Sequence, residues 1–141
     1  MDNSSVYHPM LGQLVKDGNF PWWLSVIEVS GSPITLSVGT DTELTPQVLD
    51  AAARCVQMVR TNETRYRTQI ATDLKAHVGK DAVVPDTDLA GYLNHMTLES
   101  VTYSDDGSLQ LDYADGGLFG GHLMIGFFSV DGRLESTDIA G

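Results

Sequence analysis

The chain has one cysteine, few basic residues and no long apolar run, and each scarcity excludes something. Cys55 has no second thiol to pair with inside the chain, so a disulfide framework of the secreted type is excluded and a reducing, cytoplasmic compartment is expected. No segment approaches the ~18 consecutive apolar residues of a membrane-spanning helix. Met1 to Val6 lacks the basic and apolar regions of a signal peptide, so no membrane partner is expected. Lysine and arginine are scarcest late in the chain: from Asp81 to Gly141 the only one is Arg133, against eleven acidic residues. From Met1 to Lys80, seven basic residues nearly balance eight acidic ones, so the second part carries almost all of the net charge of −11. Such a chain repels nucleic acid, whose affinity for proteins comes from cations neutralising phosphates, and attracts a basic protein. The plainer reading of the acidity is solubility.

What is present describes one domain. A chain of 141 residues with 42% hydrophobic and 19% charged residues is long enough to bury a core and too apolar to be disordered. Leu11–Val15 and Trp22–Val29, separated by Lys16-Asp17-Gly18-Asn19, read as a hairpin, and Ile34–Val38 alternates as a third strand. The period then changes. Thr45-Pro46 is a helix start, with the hydroxyl as cap and proline where no donor is needed, and Val48, Leu49, Ala52, Cys55, Val56 and Val59 share a face. A second helical stretch runs from about Glu63 to Val78, and Thr61-Asn62 either breaks the two apart or lies inside one long helix. A short helix is expected over Thr87–Met96 after Pro85-Asp86.

After Met96 the period returns to two. Thr97–Ser104, Ser108–Tyr113, Leu123–Phe128 and Arg133–Ile139 are strands divided by Asp/Gly turns. The expected fold is therefore α+β: a mainly antiparallel sheet, with an N-terminal three-strand meander, two or three central helices and a C-terminal three- or four-strand meander. Leu123–Phe128, apolar on both alternations, is expected to be a central strand covered on both faces. The expected core is Ile34, Leu36, Val48, Ala52, Val56, Ile70, Leu111, Leu123, Ile125 and Phe127.

The densest stretch is Asp115-Gly116-Gly117-Leu118-Phe119-Gly120-Gly121-His122, followed by an apolar strand and an Ile139-Ala140-Gly141 ending. With the aromatic strand Phe20-Pro21-Trp22-Trp23-Leu24, it resembles the bacterial DUF2262 family, a domain of unknown function with an Asp-Gly-x-Leu-Phe-x-Gly-His signature. The resemblance implies a bacterial domain, some of whose relatives look like immunity proteins of polymorphic toxins; it implies no catalytic residue.

The residues themselves give little chemistry. Asp112, Asp115 and His122 are suitable metal ligands by type, but their spacing matches no zinc motif, so no metal and no other cofactor is expected. The glycine pairs lack the lysine and the following helix of a phosphate loop. Cys55 lies on an apolar helical stripe without an activating neighbour, and no serine sits in a Gly-x-Ser-x-Gly elbow. No catalytic group is assigned, and the chain is not expected to be an enzyme. The favoured expectation is a protein-binding domain, specifically an immunity protein occluding a basic toxin, with Asp105, Asp106, Asp112, Asp115 and Trp22 as contacts. A small-ligand binder or enzyme with a pocket near His122 is the alternative, and a housekeeping or phage domain is the third.

Overall fold

The computed structural model describes residues 5–18, 20–40, 43–83 and 87–140. Asn19 of the first turn, Pro85 and Asp86 before the short helix, and the closing Gly141 lie outside the described residues. Eight strands form one sheet in chain order: β1 (Ser5–His8), β2 (Gly12–Lys16), β3 (Trp22–Val29), β4 (Ser32–Gly39), β5 (Thr97–Ser104), β6 (Leu109–Ala114), β7 (Leu123–Phe128) and β8 (Leu134–Ala140). Helices α1 (Pro46–Val78) and α2 (Leu89–His95), with a 3₁₀ turn at Gly79–Asp81 between them, cross from β4 to β5. Neighbouring strands are antiparallel except β4 and β5, which the helical crossover makes parallel. The α+β class and the mainly antiparallel sheet stand. The first strand group, however, has four members and not three: β1 is short and has only one apolar residue besides its exposed tyrosine, so it shows no alternation of its own.

Helix α1 starts as the sequence dictates. Thr45 has extended backbone geometry, and its Oγ1 accepts a hydrogen bond from the Val48 N–H at 3.2 Å, with Pro46 at the first helical position. The helix runs through Thr61-Asn62 as a single element with a kink, where Asn62 leaves helical geometry at φ −116° and its side chain donates to the Met58 carbonyl at 3.0 Å. Val59, Glu63, Tyr66, Ile70 and Leu74 keep one buried stripe across the kink. Asp88 caps α2 by accepting from the Gly91 N–H at 2.8 Å.

The core lies between α1 and one face of the sheet. Leu49, Ala52, Val56, Tyr66 and Ile70 meet Ile34, Leu36, Val101, Leu111, Tyr113, Met124 and Phe128, all buried. The phase of β7 departs from expectation. Met124 and Phe128 face the helices, because the register sets Met124 opposite Tyr113 and Phe128 opposite Leu109. Leu123, Ile125 and Phe127 therefore point to the other face, where Leu123 and Phe127 are half-buried and Ile125 is sheltered among them at 7% exposure. Val48 sits at the margin of the core. With both alternations apolar, the sequence of β7 carried no information on which set turns inward; the residue between, Gly126, decides it. A Cβ there would come within 2.5 Å of Ile70, so α1 rests against the glycine.

Candidate functional site

Strand alternation and the register assign one residue in two to the sheet face turned away from α1 and α2. Among the described residues neither helix covers that face. Its middle is hydroxyl-rich: Ser37, Ser100, Thr102 and Gln110 surround Asp112. The Asp112 carboxylate accepts from Ser100 Oγ and Gln110 Nε2, each at 2.8 Å, one on each oxygen. Toward β1 the same face becomes apolar, with Tyr7 71%, Val15 49% and Val26 68% exposed beside the half-buried Leu24. Contiguous apolar exposure of this kind marks interaction surfaces.

At the β5 end the face meets an acidic rim. Trp22 lies on Gly39, its cross-strand partner, so closely that a Cβ there would fall 2.4 Å from the ring. Pro21, Trp22, Gly39, Thr40, Ser104, Asp105 and Asp106 line an open groove of about 260 Å³. The two aspartates are held. Asp105 N–H donates to the Gly39 carbonyl at 2.9 Å, and its carboxylate accepts from Thr40 Oγ1 at 2.9 Å. Asp106 Oδ1 accepts from both the hydroxyl and the N–H of Ser108, at 2.6 and 2.9 Å, which lowers its pKa below the ordinary carboxylate value.

Charge is divided between the two layers. Helix α1 carries five basic residues, Arg54, Arg60, Arg65, Arg67 and Lys75, against three acidic ones. None of the uncovered-face strand positions is lysine or arginine, whereas Glu28, Asp112 and Asp138 occupy three of them.

Of the five sequence-nominated residues, Trp22, Asp105 and Asp106 thus come together, and Asp112 lies on the same face. Asp115 does not join them. It is 2% exposed, at the opposite end of β6, and its carboxylate accepts four backbone N–H groups: Gly117 at 2.8 Å, Phe119 at 2.9 Å, His122 at 3.0 Å and Gly121 at 3.3 Å. Burial raises its pKa, but these four hydrogen bonds outweigh burial and hold it below the ordinary value. It is the anchor of its own loop and unavailable as a contact.

The rest of the signature follows from that anchor. Gly116 sits at φ +58° with the His95 carbonyl 2.6 Å from where a Cβ would be, so no side chain fits there. Leu118 and Phe119 turn into the core, Phe119 edge-on to Tyr92 at 6.0 Å, while Gly121 at φ +92° turns the chain back so that its own N–H and that of His122 reach Asp115. His122 is exposed, with Nδ1 2.8 Å from the Phe119 carbonyl. Asp112, Asp115 and His122 are therefore engaged separately. Among the described residues no group of three or more His, Cys, Asp or Glu is arranged to hold a metal, and no helix is long and apolar enough to cross a membrane.

A buried ionic cluster was not foreseen. Glu63 is buried and pairs with Arg67 one turn on, Oε1 accepting from Nη2 at 2.5 Å and Nε at 3.0 Å. Tyr113 donates to the same oxygen at 3.3 Å, and the guanidinium lies 5.4 Å from the Tyr113 ring centre. Arg67 Nη1 reaches the Met96 carbonyl at 3.0 Å, tying the end of α2 to α1. The signal was an i, i+4 Glu-Arg pair whose acid falls on the apolar stripe.

No curated protein and no solved structure matches the chain. A family model does, over residues 8–139, which takes in the aromatic β3, both helices and the Asp115 loop. On that match the chain belongs to DUF2262, a family described as an uncharacterized protein conserved in bacteria.

Proposed function

We propose that this chain is a cytoplasmic protein-binding domain, specifically an immunity protein that occludes a basic toxin domain such as a nuclease. The observation that carries the reading is the uncovered sheet face: apolar at Tyr7, Val15 and Val26, free of lysine and arginine at every strand position, and bordered by the oriented carboxylates of Asp105 and Asp106 beside Trp22. An interface of this composition has an apolar centre for affinity and a charged rim for steering. Trp22 supplies an aromatic anchor already seated on Gly39, so little side-chain freedom is lost on docking. The mode of action is steric and electrostatic occlusion, with no catalytic group and no cofactor.

The test is affinity capture from the chain's own bacterium, with the wild type and the Asp105→Lys/Asp106→Lys variant side by side, followed by identification of what is retained. The expected result is a basic protein domain held by the wild type and lost from the variant. An acidic partner, or equal retention by both forms, overturns the reading.

A further inference from the structure

We propose that the open cavity beside the kink of α1 is a binding site for a small neutral molecule that carries a primary amide on an apolar ring. It lies on the helical side of the sheet, between Glu63, the β3–β4 turn and the start of β5. The Asp105–Asp106 rim stands beyond the other end of β5, so the site is independent of the protein-docking face. The cavity measures about 240 Å³ and its wall is mixed: apolar side chains such as Val29 and Met96, hydroxyls such as Ser32 and Thr97, and one charged pair, Glu63 and Arg67. An apolar cavity of ~150 Å³ takes benzene, so a ring with one substituent has room.

The second observation is the way Glu63 shares out its hydrogen bonds. Its side chain is only 9% exposed. Oε1 accepts from Arg67 Nε and Nη2 and from the Tyr113 hydroxyl, while Oε2 accepts nothing among the described residues. Oε2 is not sealed in, because the Tyr66 hydroxyl is the only fully enclosed side-chain oxygen or nitrogen among those residues without a partner. The cavity is where Glu63 meets open space, so the free lone pairs of Oε2 are presented to it. A nearly buried carboxylate oxygen without a donor is costly, and a bound N–H removes that cost.

Charge decides the class of guest. Arg67 already balances Glu63 at 2.5 Å, so a cation on Oε2 would share the site with a guanidinium, and an anion would meet the carboxylate. A neutral primary amide avoids both penalties. Its N–H donates to Oε2, and its carbonyl has donors within the same wall. Four Arg67 N–H groups are engaged by Glu63, Met96 and Leu93, a guanidinium has a fifth, and the Ser32 and Thr97 hydroxyls stand at the exposed mouth. The ring lies on the side of Val29 and Met96.

The probes are benzamide and acetophenone, which share a shape and differ by NH2 against CH3, with benzylamine and benzoate as the cationic and anionic controls. Each is titrated into the whole chain at neutral pH while the Val29 and Met96 methyl signals are followed by NMR. In the wild type benzamide should shift these signals saturably and bind about tenfold more tightly than acetophenone, the worth of a hydrogen bond to a charged group. Both ions should bind more weakly than benzamide. In Glu63→Gln, Arg67 and Tyr113 hold the new carbonyl at the Oε1 position, so an NH2 replaces the free acceptor and the preference for benzamide should vanish. Ser32→Leu, which fills the mouth from β4 and leaves the ion pair intact, should abolish benzamide binding; thermal melts report whether each variant is folded, and this one decides alone if Glu63→Gln is not. The proposal is overturned if benzamide gives no saturable shift, the cavity then holding water only, or if acetophenone binds as tightly. It is equally overturned if benzylamine or benzoate binds more tightly than benzamide, if the preference survives in folded Glu63→Gln, or if folded Ser32→Leu binds benzamide like the wild type.

Discussion

Asp115 uses its charge on its own backbone. Four N–H groups converge on one carboxylate, and the folded pKa is depressed despite burial. A depressed carboxylate contributes stability that is fully present above its unfolded pKa of ~3.9 and is lost as pH falls through the folded value. Asp115→Asn keeps the shape and removes the charge, so at pH 7 it should cost ~2 kcal/mol and lower Tm by roughly 5–10 °C. Thermal melts below about pH 4 should show the gap to the wild type narrowing, because the wild type then becomes neutral at this position too. A gap that stays constant as the pH falls would mean the charge does no such work. The signature is legible as a turn, but Asp115, expected as a surface contact, is an inward anchor. Sequence shows a carboxylate beside glycines without showing that the N–H groups fold inward around it. The pair Leu118-Phe119 held the missing signal, since two large apolar residues inside a glycine loop have to be buried and pull the loop back over the strand end.

At the scale of elements, what could be read depended on whether one face differed from the other. Strand β3 alternates cleanly, with Trp23, Ser25, Ile27 and Val29 inward, and its span was legible. The apolar stripe of α1 was legible on both sides of Asn62, but the local sequence did not decide between a kink and a break, because stripe continuity depends on the sheet beneath it. Strand β7 has no polar face, so its phase was set by packing alone, at Gly126. Gly126→Ala drives a Cβ to 2.5 Å from two Ile70 carbons and should destabilise by ~1–3 kcal/mol. Ile70→Ala removes both of those carbons, Cγ1 and Cδ1, at a cost of its own, typically ~2–5 kcal/mol. Combined, the two substitutions should cost clearly less than the sum of the singles when measured by denaturant unfolding, since one creates the space the other needs. Strict additivity would show that β7 moves away from α1 to accommodate the methyl.

For the whole molecule, the change of period from two to 3.6 and back was enough to give the α+β class, and the helical crossover then places β4 beside β5 in parallel. Charge counted along the chain located the acidity in the second part but not its segregation by layer, which needs the register. That segregation separates two accounts of partner binding. If the net charge of −11 alone attracts a basic partner, then making any surface more acidic should speed association. If the uncovered face steers it, only charges on that face and its rim matter strongly, because screening acts over ~8 Å at physiological salt. The association rate with the captured partner should therefore fall steeply between low and physiological ionic strength for the wild type. It should be several-fold slower at low salt for Asp105→Lys/Asp106→Lys, with a shallower salt dependence. Arg65→Glu/Lys75→Glu, on α1 behind the sheet, should leave the rate close to wild type although it makes the chain more acidic by four charges. Stopped-flow mixing of these three forms with the partner decides between the accounts: equal and opposite effects of the two double variants would assign the steering to net charge and remove the uncovered face from its proposed role.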